Sequence, residues 1–169
     1  MKLAFHTNAL GKWTVGQLAQ WAKDNGYDAL EVGPSIPLDE VTLRRAVNET
    51  GVNIACFCYC RNVLDVDAAV AALHRKNALD RVRLAGQLGV PLMVTSTGRA
   101  QNLPLDASLA PGLEFLGNQV LPLAREYGVK IAIENCPAMG NVAVSPFMWC
   151  ELFRQLPELG LAYDPSHLV

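Results

Sequence analysis

Amphipathic stretches that end in glycine alternate along the chain with short, nearly continuous apolar runs that close on a polar residue. The unit recurs over residues 21–32, 46–57, 84–95, 124–135 and 156–164, with its glycine at Gly26, Gly51, Gly89, Gly128 and Gly160. A helical periodicity followed by glycine marks a helix that ends in a left-handed residue, where a side chain would clash. Apolar runs such as Val90-Pro-Leu-Met-Val94 and Val129-Lys-Ile-Ala-Ile133 do not alternate with polar residues, so they read as parallel strands covered on both faces. With residues 1–7 supplying a strand in front, the pattern predicts six strands, at about 2–6, 28–32, 53–58, 91–95, 130–134 and 160–164. Five helices fall between them, at about 14–25, 39–50, 66–88, 108–127 and 146–156. Thr14, Asp39 and the Ser145-Pro146 pair supply helix starts.

Strictly alternating strands and helices leave two architectures, an open doubly wound sheet or a (β/α)8 barrel. A barrel takes about 250 residues, so at 169 residues this reading makes the chain one incomplete barrel domain over 1–169, truncated after the sixth strand. Polar residues decide between the two. They close every strand, as His6-Thr7-Asn8, Glu31, Cys58-Tyr-Cys-Arg61, Thr95-Ser-Thr-Gly98, Glu134-Asn135 and Asp164-Pro-Ser-His167. An open sheet uses mainly its switch point, whereas six polar strand ends suit a ring converging on one axis. The expected fold is therefore an α/β barrel of the TIM type with six parallel strands and five helices. Its unclosed first and sixth strands would favour association, a homo-oligomer included.

Composition narrows the partners. Hydrophobic residues make up 51% of the chain and charged ones 18%, which excludes a disordered chain and fits elements buried on two faces. A net charge of -2 offers no basic field for nucleic acid. No apolar run approaches the roughly 20 residues of a membrane span, and no export signal is visible. Five cysteines, an odd number without such a signal, point to reduced thiols in a cytoplasm.

Glu134 ends an apolar strand, where a carboxylate is costly unless a cation or donor meets it. Asp164 ends the next strand, with His167 three residues later. Two carboxylates and an imidazole at adjacent strand ends suit a divalent cation of the Mn, Co, Mg or Zn group. Glu31 is a candidate to contact a substrate hydroxyl, and His6 to touch a ligand. His74, beside Arg75 and Lys76 on a helix, reads as solvated. Cys56, Cys58 and Cys60 share one strand face without Cys-x-x-Cys spacing and read as small buried hydrophobes. Trp13, in a loop, is the tryptophan best placed to line a pocket.

Several segments together resemble the sugar phosphate isomerase/epimerase family of xylose-isomerase-like barrels, which includes ketose 3-epimerases and inosose dehydratases. They are Tyr27-Asp-Ala-Leu-Glu31, Leu84-Ala-Gly-Gln-Leu-Gly-Val90, Glu126-Tyr-Gly-Val-Lys-Ile-Ala-Ile-Glu-Asn135 and Gly160-Leu-Ala-Tyr-Asp-Pro-Ser-His-Leu-Val169. The resemblance implies that Glu134 is both a metal ligand and an acid/base carboxylate, that Asp164 is a second ligand, and that His167 holds a substrate oxygen. The family's ligands on its seventh and eighth strands would lie beyond Val169. The activity implied is a metal-dependent sugar or sugar-phosphate isomerisation or epimerisation, by proton transfer next to a carbonyl through an enediolate. Two related branches use the same barrel: an inosose-dehydratase-like lyase and the AP endonucleases. The latter need histidines where this chain has Cys58-Tyr-Cys60 and Thr95-Ser-Thr97. The alternative from another class is a non-catalytic open α/β protein that binds a small molecule or a partner.

Overall fold

Four of the five glycine-terminated units become a helix followed by a strand parallel to the one before it. The structure, a computed structural model, describes residues 2–138 and 140–168, so Met1, Met139 and Val169 of the expected domain lie outside it. The strands are β1 (Ala4–His6), β2 (Ala29–Val32), β3 (Asn53–Tyr59), β4 (Leu92–Thr95), β5 (Lys130–Glu134) and β6 (Gly160–Ala162). They form one parallel sheet in sequence order, β1 to β6. Three single helices join the first four strands: α1 (Val15–Asp24), α2 (Glu40–Thr50) and α3 (Ala68–Leu88). The fourth crossover is α4 (Leu109–Phe115), a π-helical stretch (Leu116–Val120) and α5 (Leu121–Tyr127), and the fifth is α6 (Pro146–Gln155). Among the described residues no helix is long and apolar enough to cross a membrane.

The start signals act as expected. Thr14 and Gln17 form a reciprocal capping box on α1. Asp39 accepts from the Val41 N–H at the start of α2, and Ser145 caps α6 with Pro146 in its first turn. Two expectations need correction. The fourth helix is not regular over 108–127: Pro122 has no N–H to return to the preceding turn, and the helix widens over Leu116–Val120, where the Leu121 N–H reaches back five residues to the Leu116 carbonyl. Gly160 is no helix end. It opens β6, where a Cβ would meet the Ala132 Cβ at 3.6 Å, while α6 has already stopped at Gln155.

Period-two alternation divides the sheet into two faces. Leu30 and Val32, Phe57 and Tyr59, Met93, and Ile131 and Ile133 face the helices and form the main core with Leu18, Leu43, Val82 and Leu116. The opposite face is thin and carries Cys56, Cys58, Cys60 and Val94, with Leu92 and Ala162 packed on it. His6, Glu31 and Glu134 lie on this second face, because register pairs His6 with Glu31, Glu31 with Cys56 and Glu134 with Ala162. Polar side chains thus gather on the side that a closed barrel turns toward its axis.

The helix layer is close-packed where α3 meets α5: a Cβ on Gly86 would stand 2.6 Å from the Tyr127 Cβ and 2.8 Å from its carbonyl oxygen, whereas at Gly16 of α1 it would meet nothing within 4 Å. We expect Gly86→Val to cost about 2–3 kcal/mol by overpacking, and Gly16→Ala to be neutral or stabilising by up to about 1 kcal/mol. Urea unfolding of the two variants checks this, and a Gly86→Val protein as stable as the parent would contradict the close approach.

Candidate functional site

Carboxyl ends of β5 and β6 bring three of the expected residues together. Glu134 is the last residue of β5, directly after the buried Ile131–Ile133 run. Asp164 lies two residues past β6, later than expected, and His167 follows in a 3-10 turn (Pro165–Leu168). The His167 Nε2 is 3.4 Å from Glu134 Oε1 and 3.4 Å from Asp164 Oδ2, so one imidazole nitrogen sits between both carboxylates. Hydrogen bonding by the Ser166 side chain, and then by its N–H, holds the Asp164 carboxyl below the usual carboxylate range.

Buried amides fix this arrangement. Asn135 is fully buried; its Nδ2 donates to the Asp164 carbonyl at 2.8 Å, and its Oδ1 accepts from the Asp164 N–H at 2.6 Å. Asn141 Nδ2 donates to the carbonyls of Glu134 at 2.6 Å and Cys136 at 3.0 Å.

His6 and Glu31 line the same cavity, of about 510 Å³, together with Cys58, Glu134 and Asp164. Burial raises the Glu31 carboxyl above the ordinary range; His6 opposes this, and the negative charges of Glu134 and Asp164 reinforce it. His6 Nδ1 accepts from the Asn8 N–H at 3.2 Å. A hydrogen bond with Cys58 is the largest cause raising the His6 pKa. A larger cavity, about 670 Å³, opens at the amino ends of the strands beside Leu3, Asp28 and Asn53, away from this chemistry.

Residue chemistry fits a divalent cation. Three carboxylates and the His6 imidazole line the cavity, His167 stands against two of those carboxylates, and the unfavourable charge felt by Glu31 is of the kind a cation relieves. Among the described residues, three sets of donor atoms lie within 4.8 Å of one another: His6, Glu31 and Cys58; Cys58, Cys60 and Glu134; and Glu134, Cys136 and His167, with Asp164 joined to the last set through His167.

Other expectations divide. Trp13 lines a separate cavity with Ile36 and Pro37. Cys56 and Cys58 of β3 and Cys60 just past its end are buried, but not merely as hydrophobes: the Cys60 thiol donates to Glu134 Oε2 at 3.0 Å, and Cys58 and Cys60 sulfurs are 3.9 Å apart. Contact with the Cys60 thiol brings the Cys58 thiol down to about 6, while the same contact and burial push Cys60 up. Cys56, buried beside Glu31, is also pushed up. His74 is half-buried rather than solvated, with its Nδ1 2.8 Å from the Tyr59 hydroxyl, and burial lowers its pKa. Hydroxyls of Thr95 and Ser96 tie loops, bonding the Tyr59 and Arg61 carbonyls. Sequence reasoning placed Asn135 at its strand end without a role, and missed Asn141 and Cys136 as parts of the site.

Residues 19–169 match the family described as xylose isomerase-like TIM barrel, and the chain belongs to that family. A search of curated proteins found no match. Among solved structures, the chain is similar to D-psicose 3-epimerase with D-tagatose from Clostridium cellulolyticum H10, at 14% identity and a TM-score of 0.81 over 99% of this chain and 65% of that one. It is also similar to 3-keto-D-glucoside 4-epimerase YcjR from E. coli, apo form, at 14% identity and 0.79 over 99% and 70%. A third is the IolI protein with a binding zinc atom, at 16% identity and 0.73 over 95% and 62%. The chain spans 65% of the length of another D-psicose 3-epimerase, solved in the presence of D-fructose. These likenesses bear out the barrel-type fold of six parallel strands.

Opposite pKa directions give a test. The folded pKa of His6 lies above 6.5, so its stabilising contribution is complete below pH 6.5 and fades as pH rises through that folded value. That of His74 lies below 6.5, so it costs stability as pH falls from 6.5 through its folded value. NMR titration of the ring protons should give a midpoint for His6 above that for His74, and the reverse order would contradict the site geometry.

Proposed function

We propose that the chain forms the β5 and β6 side of the active site of a metal-dependent sugar or sugar-phosphate isomerase or epimerase. The observation that carries the reading is the single imidazole nitrogen of His167 held 3.4 Å from the carboxylates of both Glu134 and Asp164, at adjacent strand ends beside a cavity. Membership of the xylose isomerase-like family and the likeness to ketohexose epimerase structures support it.

Glu134 and Asp164 would hold a divalent cation of the Mn, Co, Mg or Zn group, which when bound supplies electrostatic stabilisation of charge developing on the sugar's oxygens. Glu134 removes the proton next to the substrate carbonyl, giving an enediolate, and proton return to either face or to the neighbouring carbon yields epimer or isomer. Its side chain is only 22% exposed, so the carboxylate meets little competing water. Glu31, held toward its neutral form by burial, donates a hydrogen bond to a substrate hydroxyl more readily than an ordinary surface carboxyl. His6 and His167 hold further hydroxyls. Five free cysteines agree with a reducing, cytoplasmic setting.

Exchange of the carbonyl-adjacent hydrogen of a ketohexose with deuterated water, in the full-length protein at saturating Mn or Co, tests the assignment. Glu134→Gln should lose about 10²–10⁴-fold in exchange rate, because the amide cannot take the proton. Asp164→Asn should raise the metal requirement and recover partly with excess ion. Near-normal exchange by Glu134→Gln would remove the residue from the mechanism and favour a binding protein.

A further inference from the structure

The thiols at the carboxyl end of β3 have no task in this reaction. Alternation along β3 and into the residue after it puts Cys58 and Cys60 on the axis face, each 6% exposed, with their sulfurs 3.9 Å apart. Cys60 Sγ is 3.0 Å from Glu134 Oε2, a contact between residues 74 apart in the sequence. Donor atoms of Cys58, Cys60 and Glu134 all lie within 4.8 Å of one another. Two thiolates on a tetrahedral zinc, at about 2.3 Å each, stand about 3.8 Å apart. The observed sulfur separation already matches that edge, and the Cys60 to Glu134 contact would open by about half an ångström.

We infer that Cys58, Cys60 and Glu134 form a site for one thiophilic divalent cation of the zinc class, distinct from the oxygen and nitrogen set that Glu134 shares with Asp164 and His167. The carboxylate serves both sets with different atoms: Oε1 faces His167 and Oε2 faces Cys60. Ligand softness keeps the sets apart, since a thiolate pair selects zinc-like ions over Mg or Mn, which favour carboxylates. Binding replaces both thiol protons, releasing them to solvent, and three protein donors leave a fourth tetrahedral position for water or a ligand. Cys58 and Glu134 line the 510 Å³ cavity, which provides the entry path. The inference rests on these donors alone and shares only Glu134 with the isomerase reading.

Reduced protein titrated anaerobically with Co²⁺ should develop sulfur-to-cobalt charge-transfer absorption that saturates near about one equivalent and is displaced by Zn²⁺. Cys58→Ser/Cys60→Ser should abolish the absorption and Asp164→Asn should retain it. A second measurement needs no variant: saturating Zn²⁺ should slow alkylation of Cys58 and Cys60 by about tenfold or more, while the exposed Cys150 reacts as before. Absence of the absorption, its survival without both thiols, its loss in Asp164→Asn, or unprotected alkylation at saturating zinc would each overturn the assignment. The proton-exchange assay can fail with this absorption intact, and the reverse, so the two readings fail separately.

Discussion

The two hydrogen bonds between the buried side-chain amide of Asn135 and the backbone of Asp164 set the geometry on which the site depends. Sheet pairing alone stops short of it: β6 ends at Ala162, and Asp164 stands where no ladder bond defines its position. Asn135, next in sequence to Glu134, returns its side chain to both the N–H and the carbonyl of Asp164 and so extends the β5 and β6 pairing by one rung. Without that clamp the 3-10 turn bearing His167 would lose its register against Glu134. A buried amide left without partners costs about 1–3 kcal/mol, so the strand ends and the clamp stabilise each other.

The two faces of the sheet divide the work of stability and chemistry. The helix face buries large side chains such as Phe57, Met93, Ile131 and Ile133, and it holds the fold. The axis face carries three titratable residues and three thiols on a much thinner apolar layer. Burying carboxylates there opposes folding, as the raised pKa of Glu31 records, and the interactions that offset it are specific: the His6 to Cys58 and Cys60 to Glu134 contacts, and the His167 nitrogen between two carboxylates.

Much of this was legible in the sequence because it is encoded locally. Glycines ending amphipathic stretches, capping residues and period-two alternation need only a few neighbouring positions, and strands and helices fall where those signals put them. The Glu134, Asp164 and His167 trio was also readable, since each follows an apolar run closely enough to sit at a strand end. What escaped depends on partners far along the chain. Nothing near Cys60 announces Glu134, 74 residues away, and nothing near His74 announces that the Tyr59 hydroxyl will reach its ring. Asn135 was visible as a polar strand end but its role was not, and Asn141 carried no signal, because their partners exist only once β4, β5 and β6 are side by side. Arg81 belongs with them: buried on α3 and stacked over the Tyr59 ring at 4.2 Å, its Nε has no hydrogen-bond partner. Pro122 was visible, but the fourth helix absorbs it by widening rather than by breaking.

Convergence of β5 and β6 side chains on one cation is the claim from which the functional reading follows. Anomalous diffraction from crystals grown with Mn²⁺ tests it most directly. The account predicts a manganese peak at coordinating distance, about 2.0–2.3 Å, from carboxylate oxygens of both Glu134 and Asp164, with His167 turned away from or onto the ion. A peak bound elsewhere, or one that touches Glu134 without Asp164, would contradict it.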